Sequence, residues 1–88
     1  MARTITIYHD PGHSWAKVPR KTLHELGIAD QITPFSYQRG EHVYLEEDCD
    51  LATFLSAWRE QVGTFPDFVE KYTNRSSKIR SYHPYRSY

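Results

Sequence analysis

One stretch constrains this chain more than any other: residues 44–63, YLEEDCDLATFLSAWREQVG. It reads as the end of a strand, an acidic turn and one amphipathic helix. Leu51, Phe54, Leu55, Trp58 and Val62 recur at helical spacing and share one face. Ala52, Ser56, Arg59 and Glu60 fall largely on the other side. Asp48 or Asp50 is placed to cap the first turn by accepting orphan backbone N–H bonds. The neighbouring acids then sit at the positive end of the helix dipole. Gly63 supplies a left-handed stop. No other segment carries as much apolar surface, so the rest of the chain is expected to pack on this helix.

The flanking segments read mostly as strands. Thr4-Ile5-Thr6-Ile7-Tyr8, within residues 1–8, alternates polar and apolar residues as a half-buried strand does. His9-Asp10-Pro11-Gly12-His13 is turn chemistry. Residues 14–18 return as a second strand with Ala16 and Val18 inward, and Trp15 shares the face of Lys17, exposed or covered by another element. Pro19 opens a short helix that Gly27 ends, with Ile28 as the hydrophobic contact of that glycine cap. Ile32 anchors a connector. Residues 35–38 and 42–45 form a hairpin about Arg39-Gly40. After the main helix, Phe68–Tyr72 reads as a last strand, which Pro66 places at an edge or a strand start. The expected class is α+β: an antiparallel sheet in the order ββαββαβ, with the main helix on one face. Residues 1–72 form the compact domain. Residues 73–88 form a basic, Tyr-rich tail packed on it or extending from it.

Charge narrows the function classes. The chain has 88 residues and a formal net charge of zero. Its overall field therefore argues against generic attraction to nucleic acid or membrane, although direct nucleic-acid contact is left open. The distribution is uneven. Glu46, Glu47, Asp48 and Asp50 form an acidic knot. Beyond Glu70 there is no acid, while Lys71, Arg75, Lys78, Arg80 and Arg86 follow. The single cysteine, Cys49, fits a reducing cytoplasm. No apolar run approaches a membrane span.

Four pieces carry a resemblance: PGHSW (11–15), SYQRG (36–40), YLEEDCD (44–50) and RSSKIRSY (75–82). In this order they resemble a family of small bacteriophage and mobile-element proteins, and the likeness covers most of the chain. It implies an accessory protein of the host-cell cytoplasm, compatible with an antagonist of host defence. It lends no catalytic or binding residues.

Three clusters offer chemistry. His9-Asp10-x-x-His13 puts imidazole and carboxylate donors in one turn, a set suited to a transition metal. It lacks further ligands at metal spacing, so a hairpin turn accounts for it, and no metal or other cofactor is expected. The acidic knot can bind a cation or divide acid and base roles, yet helix capping and a solvated turn explain it too. Cys49 near a helix N-terminus could be activated, but its carboxylate neighbours oppose the thiolate, and a small core residue is the expectation.

The remaining set is cationic and aromatic. Arg39 with Tyr37 lies in the hairpin, and Arg75, Lys78, Arg80 and Tyr82 lie in the tail. Arginine forks grip phosphate or carboxylate, and tyrosine faces stack on bases. His13 and Trp15 complete a pocket if the two hairpins lie side by side. The alternative is a tail that wraps the domain, its rings covering apolar surface. The leading expectation is stoichiometric binding of an anionic, nucleotide-like small molecule or of a host defence protein. A small metal-assisted or Cys/His hydrolase is the second reading. A phage assembly accessory, homodimeric through an exposed sheet edge, is the third.

Overall fold

The computed structural model describes residues 4–87; the outer ends of the expected first strand (1–3) and of the tail (88) lie outside the described residues. Alternating β-branched residues form strand β1 (Thr4–His9), which returns antiparallel as β2 (Ser14–Pro19). Asp10 closes the turn between them. Its backbone N–H donates to the His13 carbonyl (2.9 Å), and its carboxylate accepts the N–H groups of Gly12 and His13 (2.9 Å each). Short acidic side chains favour turns through such local bonds. Helix α1 (Arg20–Glu25) follows Pro19 directly. It ends at Gly27, at φ +73°, where the Ile28 N–H reaches back to the Leu23 carbonyl.

A 3₁₀ turn (Ala29–Gln31) leads to the hairpin of β3 (Tyr37–Arg39) and β4 (His42–Glu46). Then come helix α2 (Asp50–Val62), β5 (Asp67–Tyr72), a second 3₁₀ turn (Lys78–Ser81) and β6 (His83–Pro84). The six strands form one sheet in the order β5-β1-β2-β4-β3-β6. The class is α+β, with one main helix. The sheet is mixed rather than antiparallel throughout, because β5 runs parallel to β1. The reason is the crossover: α2 carries the chain from β4 back along the sheet, so β5 starts from the same end as β4 and β1.

Each face of the sheet has its own core. On one face Phe54 and Trp58 of α2 are fully buried against Ile5, Ala16, Val18, Val43 and Leu45, with Leu51, Leu55 and Val62 alongside. Leu23, Leu26 and Ile28 fill the same layer. On the other face Tyr8, Trp15, Tyr37 and Tyr44 form an aromatic layer covered by Ile79 and Tyr82. Trp15 is thus covered, at 2% exposure. Residues beyond β5 are integral to both cores. Tyr85 is buried, its N–H donating to Ser36 (2.9 Å) and its hydroxyl to the Ala29 carbonyl. Strand β6 has no signal in the sequence, since two residues that include a proline show no pattern.

The expected cap on α2 is different. Cys49 is the N-cap residue, and no side chain caps the helix. Asp50 is 1% exposed, and its carboxylate turns to the segment between the first 3₁₀ turn and β3. Its carboxylate accepts the Thr33 hydroxyl (2.8 Å), the Thr33 N–H (3.1 Å) and the Ser36 hydroxyl (2.5 Å). Ser36 Oγ in turn accepts the Glu46 N–H (2.9 Å). These partners satisfy a buried carboxylate, which competes successfully against capping. No helix among the described residues is long and apolar enough to cross a membrane.

Candidate functional site

Folding takes apart the donor set of the first turn. The His9 Nε2–H donates to Glu70 (2.9 Å), its Nδ1 meets the Ser14 hydroxyl (2.5 Å), and its ring stacks on Tyr72 at 4.5 Å and 11°. Asp10 is taken by Arg80, whose Nε and Nη2 donate to its two oxygens at 2.7 and 2.9 Å. The Ser77 N–H adds a further bond (2.9 Å). Arg80 first, then the Ser77, His13 and Gly12 N–H groups, hold the Asp10 carboxyl far below the ordinary carboxylate range, against the opposing push of burial. Of the three side chains only His13 stays open, at 47% exposure.

His13 instead faces a cleft of about 430 Å³ on the aromatic face. Trp15, Tyr37 and Phe35 provide its rings. Trp15 and Tyr37 meet edge-on at 6.3 Å, and the Arg80 guanidinium lies 5.4 Å above the Trp15 ring. Strands β2, β3 and β4 supply this wall because residues 15, 37, 44 and 46 share one face by period-two alternation. The polar lining is His13, Glu46, Asp48 and Cys49. One donor atom each from His13, Glu46 and Asp48 lies within 4.8 Å of the others, and His13 Nδ1 is 3.8 Å from Glu46 Oε1. Imidazole with two carboxylates is a donor set that suits a divalent transition metal.

Two buried polar atoms of this lining lack a hydrogen-bond partner among the described residues, the Trp15 indole N–H and Glu46 Oε1. Buried polar groups are normally paired, so each such atom calls for an explanation. Cys49 is half-buried, and its thiol donates to Glu46 Oε2 (3.4 Å). Burial pushes the thiol above its ordinary value, Glu46 and Asp50 push the same way, and the Thr33 contact opposes them. A thiolate nucleophile at neutral pH is therefore disfavoured.

Of the eight residues expected to recognise a ligand, His13, Trp15, Tyr37 and Arg80 meet in the cleft. Arg39 lies outside its lining, 5.1 Å over the Tyr82 ring, which packs on Tyr44. Arg75 and Lys78 are exposed and outside it as well. Sequence reasoning missed Phe35, and it weighed Glu46 and Asp48 as a cation-binding knot without joining them to the aromatic set. A signal existed for Glu46, which is two residues from Tyr44 and so shares the Trp15 face by alternation; Phe35 lies in the turn before β3, where alternation does not place it. Two wider hollows on the helical side, about 590 and 610 Å³, have no comparable meeting of rings and ionisable groups. Comparison of the chain with protein-family models, curated proteins and solved structures gives no match.

Proposed function

We propose that the protein works by stoichiometric binding, holding a nucleotide-like ligand in the aromatic cleft. The observation that supports this is the convergence of three rings, a guanidinium and an imidazole–carboxylate group on one opening. A flat base stacks on Phe35, which is 74% exposed and free to receive it, and against Tyr37. The Nη1 of Arg80, not used by Asp10, takes an anionic group. Glu46 and Asp48 would repel a bare anion, and Arg80 is already neutralised by Asp10. The ligand therefore enters with a divalent cation, which His13, Glu46 and Asp48 receive. In the setting that the phage-protein resemblance implies, such capture removes a nucleotide signal of host defence.

The same His13–Glu46–Asp48 group favours a second reading, a metal-assisted hydrolase, in which these three residues would hold a cation that would activate water. One experiment separates the two. The protein is titrated calorimetrically with a panel of linear and cyclic nucleotides, with magnesium or manganese and with chelator. The bound fraction is then denatured and its nucleotide identified. Binding predicts one intact ligand per chain and a cation requirement. Hydrolysis predicts product. No heat with any nucleotide in the presence of either metal rejects both. Phe35→Ala is expected to weaken binding by about 1–3 kcal/mol while leaving the fold intact.

A further inference from the structure

Strand β5 is one of the two edges of the sheet, and it is unusually apolar for one. Five large hydrophobic side chains stay exposed among the described residues, and four of them lie on or beside β5: Phe65 at 53%, Phe68 at 40%, Val69 at 45% and Tyr72 at 74%. Every residue of the strand is exposed. No proline or bulge interrupts Asp67–Tyr72, and an uninterrupted edge is a template for another strand. Apolar surface gathered in one place marks an interaction site.

The backbone determines which residues a second strand would meet. The Thr73 N–H donates to the His9 carbonyl (2.9 Å), so Thr73, Lys71, Val69 and Asp67 turn their backbone groups toward β1. Phe68, Glu70 and Tyr72 therefore turn theirs outward. An antiparallel copy of the same strand must pair outward residues with outward residues. Two registers then overlap the strand about equally. Centring the two-fold axis on Glu70 sets Glu70 opposite its own copy, and like charges directly opposite are destabilising. Centring it on Val69 sets Val69 against the partner's Val69, Phe68 against the partner's Glu70, and Asp67 against the partner's Lys71. This second register pairs opposite charges twice and brings the exposed valines together.

We propose that two copies of this chain join through β5 as an antiparallel pair about Val69, merging their sheets into one. The contact is isologous and closes at two copies. It is independent of the cleft on the aromatic face.

The test is the mass of the full chain in solution by sedimentation across a concentration series. The expected result is a monomer–dimer equilibrium. Lys71→Asp places acid opposite acid twice and should weaken the dimer about tenfold or more. Adding Asp67→Lys to it should restore the dimer. Phe68→Pro removes an outward N–H and no bond to β1, so it should give a monomer with an unchanged circular dichroism spectrum. A wild-type monomer at every concentration overturns the proposal, as do open-ended oligomers. A Lys71→Asp protein that dimerises like wild type, or a folded double variant that stays monomeric, overturns this register.

Discussion

Arg80 closes on Asp10 with both prongs of its fork, Nε at 2.7 Å and Nη2 at 2.9 Å, across seventy positions of sequence. The contact fastens the C-terminal 3₁₀ turn to the first hairpin and sets the guanidinium over Trp15. It also fixes the space at Gly12, where an added Cβ would stand 3.0 Å from Arg80 Nη2. Arg80 is thus a structural residue as well as one that lines the cleft. Arg80→Ala strips the carboxylate of Asp10 of its main partner and should lower the melting temperature more than Lys78→Ala, since Lys78 is exposed.

The pair has a pH signature. The Asp10 carboxyl is held far below its ordinary 3.8 by Arg80 and the turn N–H groups. The unfolded chain takes up that proton near the ordinary value while the folded chain refuses it. The stabilisation is therefore complete above the ordinary value and is lost progressively as pH falls below it. Asp10→Asn should lower stability at neutral pH and flatten the acid limb. Urea unfolding of both proteins between neutral pH and strong acid reads this directly. Parallel profiles for the two would show that Asp10 does not carry the effect.

The main helix was legible because its evidence lies within thirteen residues: the face of Phe54 and Trp58 is set by 3.6-residue spacing alone. Much of the rest depended on partners far away in sequence. Asp50 resembles a cap until Thr33 and Ser36 arrive to claim it. His9, Asp10 and His13 resemble a ligand set until Glu70 and Arg80 remove two of them. The direction of β5 depended on where α2 delivers the chain, which no local pattern records. The cleft was half visible. Trp15, Tyr37 and Arg80 stood out by type, whereas Phe35 did not and the acids were already accounted for by a turn.

The helical core gives a quantitative check. Trp58 is 1% exposed between α2 and the sheet. Trp58→Ala should cost about 3–5 kcal/mol through lost burial and a residual cavity. Glu47 is exposed, and its backbone N–H donates to the Ser14 carbonyl. Glu47→Ala should change stability by less than about 0.5 kcal/mol. Denaturant midpoints settle both, and a loss below about 1 kcal/mol for Trp58→Ala would contradict the packing of α2.

The C-terminal segment should behave as part of the fold. Ile79 and Tyr85 are each 2% exposed, and β6 pairs with β3. Tyr85→Phe leaves the buried Ala29 carbonyl without its hydroxyl donor and should cost about 1–3 kcal/mol. Tyr85→Ala should cost more, because the ring also fills the core. Deletion of residues 74–88 should then give a protein that melts far below wild type or does not fold. A truncated chain with the wild-type melting temperature would show that this segment adds nothing to the core.

Metal should affect binding without supporting the fold. His13 and Asp48 are exposed, and neither belongs to the two buried clusters that hold the sheet. Chelator should therefore leave the melting temperature of the protein unchanged, unlike a fold that depends on a structural ion. Added manganese or zinc should raise it in proportion to occupancy, since a ligand that binds only the folded chain stabilises it. The rise should vanish in Glu46→Gln and Asp48→Asn and persist in His9→Ala, whose imidazole is engaged with Glu70 and Ser14 instead. Thermal melts of the four proteins across a metal series make the comparison. A rise that survives both carboxylate changes, or one that His9→Ala abolishes, would move the cation away from the cleft and back to the first turn.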